Sequence, residues 1–70
     1  MKIVLSHHAK KRLIERGIKM QDIQDTIEIP EYTISRGDKK EAYKKINSKL
    51  LKAVYVKEDK YIKIITLIWK

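Results

Sequence analysis

KLLKAVYVKEDKYIKIITLIWK, residues 49–70, decides how this chain folds. Residues 49–57 read as a strand, and the polar Glu58-Asp59 pair that follows reads as a turn. Residues 61–70 are the most apolar stretch of the chain, which predicts a central strand buried on much of both faces. Working back from there, residues 41–47 (EAYKKIN) alternate less clearly but still extend the pattern, with Asn47-Ser48 as a tight turn. Residues 31–35 (EYTIS) read as one more strand, and Arg36-Gly37-Asp38 as the turn after it. The second half is therefore an antiparallel meander.

Pro30 marks the point where the pattern changes. Before it, Met20, Ile23 and Ile27 recur at spacings of three and four, which predicts a helix over KMQDIQDTIEI (19–29) with one apolar face. Another helix is expected from about His7 to Arg16 within SHHAKKRLIERGI (6–18). Ser6 is its N-cap, Gly17 takes the left-handed position at its end, and Ile18 packs back on it. Lys2–Leu5 is a short β-prone start. The expected fold class is α+β: two N-terminal helices packed on one face of a four-stranded antiparallel sheet. The short first strand joins that sheet if it pairs with the last, covering an exposed edge. Residues 1–70 form one domain, near the lower size limit for an independent core.

The chain has no cysteine, so disulfides and thiolate-held zinc cannot supplement the core. The apolar stretch in MKIVLSHHAKK is too short for a signal peptide, and IITLIW is far below the roughly 20 residues of a membrane helix. The expectation is a soluble cytoplasmic protein with no membrane partner. Seventeen Lys and Arg against nine Asp and Glu give a net charge of +8. Such a field attracts polyanions, and the phosphate backbone of a nucleic acid is the expected partner. Solvated ion-pair networks also make lysine-rich surfaces, but here the acids are too few to balance the bases.

On a helical wheel His8, Arg12, Glu15 and Arg16 form one polar stripe, and Ala9, Leu13 and Gly17 form the side that presses on the sheet. His7 points about 100° away, so the two imidazoles are not a paired device. Imidazole beside guanidinium suits metal-free RNA cleavage. That reaction needs a base near neutral pH, cations for the charge that grows on the phosphoryl oxygens, and an acid for the leaving oxygen. His8 is the candidate base or acid, while Arg12, Arg16 and Lys11 are candidates for holding phosphate. The plainer alternative is a solvated helix with Glu15 paired to Arg12, Arg16 or Lys11. No cofactor or metal is expected, since two histidines on different faces with no carboxylate cluster make no metal site.

His8-Ala9-x-x-Arg12-x-x-x-Arg16-Gly17-Ile18, followed by a short acidic helix, resembles a family of small bacterial and archaeal proteins that open with H-A-x-x-R-x-x-x-R-G-I. Lys63-Ile64-Ile65-Thr66-Leu67-Ile68-Trp69 is similar to that family's last strand, where a threonine precedes an aromatic residue. The family is grouped with the barnase–EndoU–colicin–RelE-like ribonuclease fold, which includes many toxins of toxin–antitoxin systems. The resemblance implies a RelE/barnase-like domain acting as a metal-independent RNA endonuclease of toxin type, with an antitoxin protein as a further partner. It implies roles for His8, Arg12 and Arg16 on the helix and for Thr66 on the last strand, where the threonine would orient the reacting groups.

On the sheet, Tyr43, Lys45, Tyr55, Lys57, Thr66 and Trp69 are candidates for a concave face. Lys45, Tyr55 and Lys57 are expected RNA contacts, and Tyr55 or Lys57 is a further proton donor or cation. Strict alternation puts Ile62, Ile64, Thr66 and Ile68 on one side of the last strand, and Tyr61, Lys63, Ile65, Leu67 and Trp69 on the other. Two alternatives stand beside catalysis. One is a non-catalytic protein of the same fold that binds RNA or an antitoxin. The other is a helix-turn-helix, loosely fitted by Leu13-x3-Gly17-x5-Ile23. Its reading helix would carry Asp22, Asp25 and Glu28 with no Lys or Arg, and DNA would repel it.

Overall fold

In the computed structural model, which describes residues 2–70, seven elements follow one another. They are β1 (Lys2–Leu5), α1 (His7–Glu15), α2 (Met20–Glu28), β2 (Tyr32–Arg36), β3 (Lys39–Ile46), β4 (Lys49–Lys57) and β5 (Tyr61–Trp69). The strands form one sheet in the order β1-β5-β4-β3-β2. β2 to β5 are an antiparallel meander, and β1 adds to β5 in parallel. The expected α+β architecture is therefore present, with the first strand in place. One expectation changes: β5 is interior but not central. β1 takes its outer edge, and the middle position falls to β4.

Turn chemistry sets the strand lengths. Gly37 (φ +64°) and Asp38 form a two-residue turn, so pairing runs up to Arg36 opposite Lys39, and β3 begins earlier than residue 41. Asn47 and Ser48 both have positive φ, 50° and 73°, which is the conformation whose twist suits a two-residue hairpin. It brings Ile46 opposite Lys49.

Helix α1 is bounded as its residues predict. The Ser6 hydroxyl accepts from the Ala9 N–H (3.0 Å) and donates to the Ile65 carbonyl (2.8 Å), while the Ser6 N–H donates to the Ile64 carbonyl (2.9 Å). At the other end Gly17 is left-handed (φ +61°). The Ile18 N–H reaches the Leu13 carbonyl at 3.0 Å, and Ile18 is buried. This is the paired-bond helix ending in which glycine avoids the strain a Cβ would meet.

Helix α2 differs from expectation at one position. Met20 is 47% exposed, and the buried row is Ile23 and Thr26, with Ile27 packed beside them. Thr26 tolerates complete burial because its hydroxyl donates to the Asp22 carbonyl at 2.7 Å.

Both helices cover one face of the sheet. Ala9, Ile18 and Ile23 meet Ala42, Leu51, Ala53, Tyr55, Ile62, Ile64 and Leu67 there. A β-bulge corrects the expected faces of β5. Tyr55 pairs with Ile64 and Val54 with Thr66, so Ile65 is an extra residue. One extra residue shifts the phase of everything after it. Ile62, Ile64, Leu67 and Trp69 consequently share the helix-covered face, while Lys63, Thr66 and Ile68 share the open one.

Candidate functional site

Along α1, His8 and Lys11 are exposed, Arg12 is half-buried, and Ala9 and Leu13 press on the sheet as their spacing requires. Of the three partners open to Glu15, it takes Arg12, whose Nη1 donates to its carboxylate at 2.8 Å. Arg16 lies about 12 Å further along the helix axis than His8, at about 1.5 Å per residue. Its Nη1 donates to the Leu67 carbonyl at 2.8 Å, and its own carbonyl accepts from the indole Nε1–H of Trp69 at 3.2 Å. These two bonds dock the end of α1 on the end of β5.

A cleft of about 300 Å³ opens at that junction, lined by Arg16, Lys19, Asp22, Asn47, Lys49 and Trp69 among others. The Lys49 ammonium lies over the Trp69 ring, 6.0 Å from its centroid. The Asp22 carboxylate is engaged by the Lys19 backbone N–H at 3.2 Å. Three cationic side chains beside an indole can hold a phosphate and offer a flat apolar surface to a base.

Sequence reasoning named Arg16 and Trp69 in this cleft but not Lys19, Asn47 or Lys49. The left-handed Asn47-Ser48 turn was legible. That it delivers Asn47 and Lys49 to the end of α1 depends on how the sheet docks under the helix.

The other expected site residues fall apart into separate groups. Tyr55 is 8% exposed, in the core under the helices rather than on a concave binding face, and burial pushes its phenol above the ordinary tyrosine value. Lys57 is on the same side by register, at the exposed end of β4. Thr66 faces away from the helices, so the sheet stands between it and His8, Arg12 and Arg16. Lys45 and Tyr43 are also on that far face. For Thr66 the physical reason is the bulge at Ile65, which turns it to the face opposite Ile62 and Ile64, with which strict alternation would group it.

What the fold brings together is Arg16 with Trp69, Lys19 and Lys49, and above them half-buried Arg12 with exposed Lys11 and His8. Among the described residues, no three His, Asp or Glu side chains gather in a way that could hold a metal ion. No helix there is long and apolar enough to cross a membrane.

The family described as "Domain of unknown function (DUF4258)" matches residues 5–69 of the chain. The match takes in both helices and nearly all of the sheet. No curated protein and no solved structure matches.

Proposed function

The chain belongs to the DUF4258 family, and from the geometry at the end of its first helix we propose that it binds single-stranded RNA in the cleft beside Trp69. The observation that carries this reading is that Arg16 and Lys19, from the junction of α1 and α2, and Lys49, from the start of β4, line one cleft with the Trp69 indole. A single strand fits because its bases are unstacked and free to meet an aromatic surface, while its phosphates remain available to cations. Arg12 and Lys11 continue the positive track along α1, and the net charge of +8 supplies long-range attraction. RNA is the polyanion to which the resemblance in the opening helix points.

Trp69 is the only tryptophan, so its fluorescence reports directly on the cleft. Titration with oligouridylate is expected to quench it, with an affinity that falls as salt rises. The quenching is expected to weaken in Lys49→Ala and Arg16→Gln. A wild-type protein whose emission and mobility ignore the oligonucleotide at low salt overturns the reading.

A second reading, a metal-independent endoribonuclease of toxin type with an antitoxin partner, is favoured by one observation: His8 is exposed on the stripe that leads to the cleft. It has less geometric support than binding. Arg12 is engaged by Glu15, Tyr55 lies in the core, and Thr66 is behind the sheet. RNA cleavage in EDTA by wild type, His8→Ala and Arg12→Ala separates the two. Cleavage lost in His8→Ala with binding retained favours the enzyme, and no cleavage by wild type favours the binder. A cytoplasmic location goes with both readings.

A further inference from the structure

The face of the sheet turned away from α1 and α2 has no covering element among the described residues, and its side chains are arranged in rows. Thr66, Val54, Glu41 and Ile34 stand opposite one another across β5, β4, β3 and β2. On one side of this row lies Lys63–Val56–Lys39–Arg36, and on the other Ile68–Lys52–Tyr43–Tyr32, with Lys45 beyond. The middle row contains one carboxylate, Glu41, which is only 8% exposed. Its oxygens are taken by Arg36 Nε (3.1 Å), the Tyr43 hydroxyl (3.1 Å) and Lys52 Nζ (3.5 Å). Beside the paired Glu41, the row presents the methyl groups of Thr66, Val54 and Ile34, with the Thr66 hydroxyl among them. Lys39, Lys45 and Lys63 flank it, exposed and without an ion-pair partner among the described residues.

The dimensions match one kind of occupant. Four strands at about 4.8 Å spacing make the aliphatic row about 14 Å long, the length of roughly ten helical residues. The lysine-bearing rows on either side lie about 14 Å apart, enough to bracket a helix about 10 Å wide. We infer that this open face seats an acidic amphipathic helix of a partner protein, its apolar stripe on Thr66, Val54 and Ile34 and its carboxylates toward Lys63 and Lys39 on one side and Lys52 and Lys45 on the other. Matched charge on both flanks sets the orientation, and the aliphatic row supplies the area removed from water.

Other occupants fit less well. RNA would find one exposed ring here, Tyr32 at the β2 edge, since Tyr43 is buried beneath it with ring centroids 4.5 Å apart and the middle row carries no aromatic side chain. A second copy of the chain would set Lys39, Lys45 and Lys63 against their own duplicates. Its one acidic helix, α2, already uses Ile23, Thr26 and Ile27 in its own core. The face lies across the sheet from the Trp69 cleft, so the inference does not depend on RNA binding.

The test uses the full chain and a synthetic helical peptide of about 12 residues, with leucines on one stripe and glutamates on both sides of it. A scrambled peptide of equal charge, an oligouridylate and analytical ultracentrifugation of the protein alone serve as comparisons. The amphipathic peptide is expected to shift the NMR methyl signals of Val54, Ile34 and Thr66, and the scrambled one to leave them in place. The exposed-site variant Lys39→Gln/Lys63→Gln is expected to weaken peptide binding at least about tenfold, with its circular dichroism retained and oligouridylate still quenching Trp69, its affinity lowered only in step with the smaller net charge. Equal binding of the scrambled peptide overturns the inference. So do peptide shifts confined to the Trp69 cleft, larger shifts of the Val54 row with oligouridylate, or a dimer that buries that row.

Discussion

Arg16 and Trp69, 53 positions apart in sequence, hold each other's elements in place. The indole N–H of Trp69 caps the Arg16 carbonyl at 3.2 Å, and the Arg16 guanidinium returns a bond to the Leu67 carbonyl at 2.8 Å. The first satisfies a carbonyl that the end of a helix leaves without an intrahelical partner. The same contact places a cation and an aromatic ring at the mouth of one cleft, so stability and the proposed RNA binding would rest on the same residues.

Trp69→Phe keeps an aromatic ring and removes the donor. It is expected to cost about 1 kcal/mol, the net value of one hydrogen bond. Trp69→Ala also removes packing against the core and should cost about 3 kcal/mol. Urea midpoints of the two variants measure the difference. RNA affinity should fall more in Ala than in Phe, since the ring rather than the N–H meets the base. Equal loss in both would assign the effect to the bond.

Arg16→Gln and Lys49→Ala should each lower the slope of log affinity against log salt by about 1, one phosphate contact apiece. Anisotropy titrations of labelled oligouridylate at several salt concentrations read this out. An unchanged slope in both variants places the phosphate elsewhere.

The Arg12–Glu15 pair sits at the surface, where an ion pair contributes at most about 1 kcal/mol. Glu15→Gln should therefore leave the melting temperature nearly unchanged. It also removes a negative charge and releases Arg12, so RNA should bind about threefold tighter, worth ~0.6 kcal/mol. The gain should vanish in Glu15→Gln/Arg12→Gln. If it persists there, the lost charge alone is responsible.

Burial raises the pKa of Glu41, but the bonds from Tyr43 and Arg36 and the charges of Arg36 and Lys52 outweigh it and hold the group below its ordinary value of 4.5. A carboxyl depressed in the folded state contributes stability that is present above its unfolded pKa and lost as pH falls through the folded one. Chemical denaturation at a series of pH values below that ordinary value should show wild type losing stability more steeply than Glu41→Gln. Parallel curves would remove Glu41 as the cause.

Much of the fold was legible because it is decided locally. Ser6, Gly17 and Ile18 bound α1 through contacts within a turn or two of themselves. Asn47 and Gly37 readily take the positive φ that their turns require, while Ser48 is carried into it (φ 73°) by the hairpin that follows. The separation of His8 from His7, and the burial of Ala9 beneath the polar stripe, follow from helical spacing alone. Met20 was misplaced because a period of three or four marks a helix face without saying where the covering sheet stops. The buried Thr26 was overlooked because its burial depends on one bond to the Asp22 carbonyl.

The sequence alone determined the element order, the helix ends, the meander and the basic stripe on α1, since each rests on residues close together in the chain. Only the tertiary structure decided which side chains share a site. At the bulge, the carbonyls of Ile64 and Ile65 accept from Ser6, which lies 59 positions before Ile65, while Tyr55 and Val54 pair on the other side. That one extra residue turns Thr66 to the open face and brings Leu67 and Trp69 to Arg16. Alternation along a strand is a local rule, and a bulge set by partners on two other elements shifts its phase.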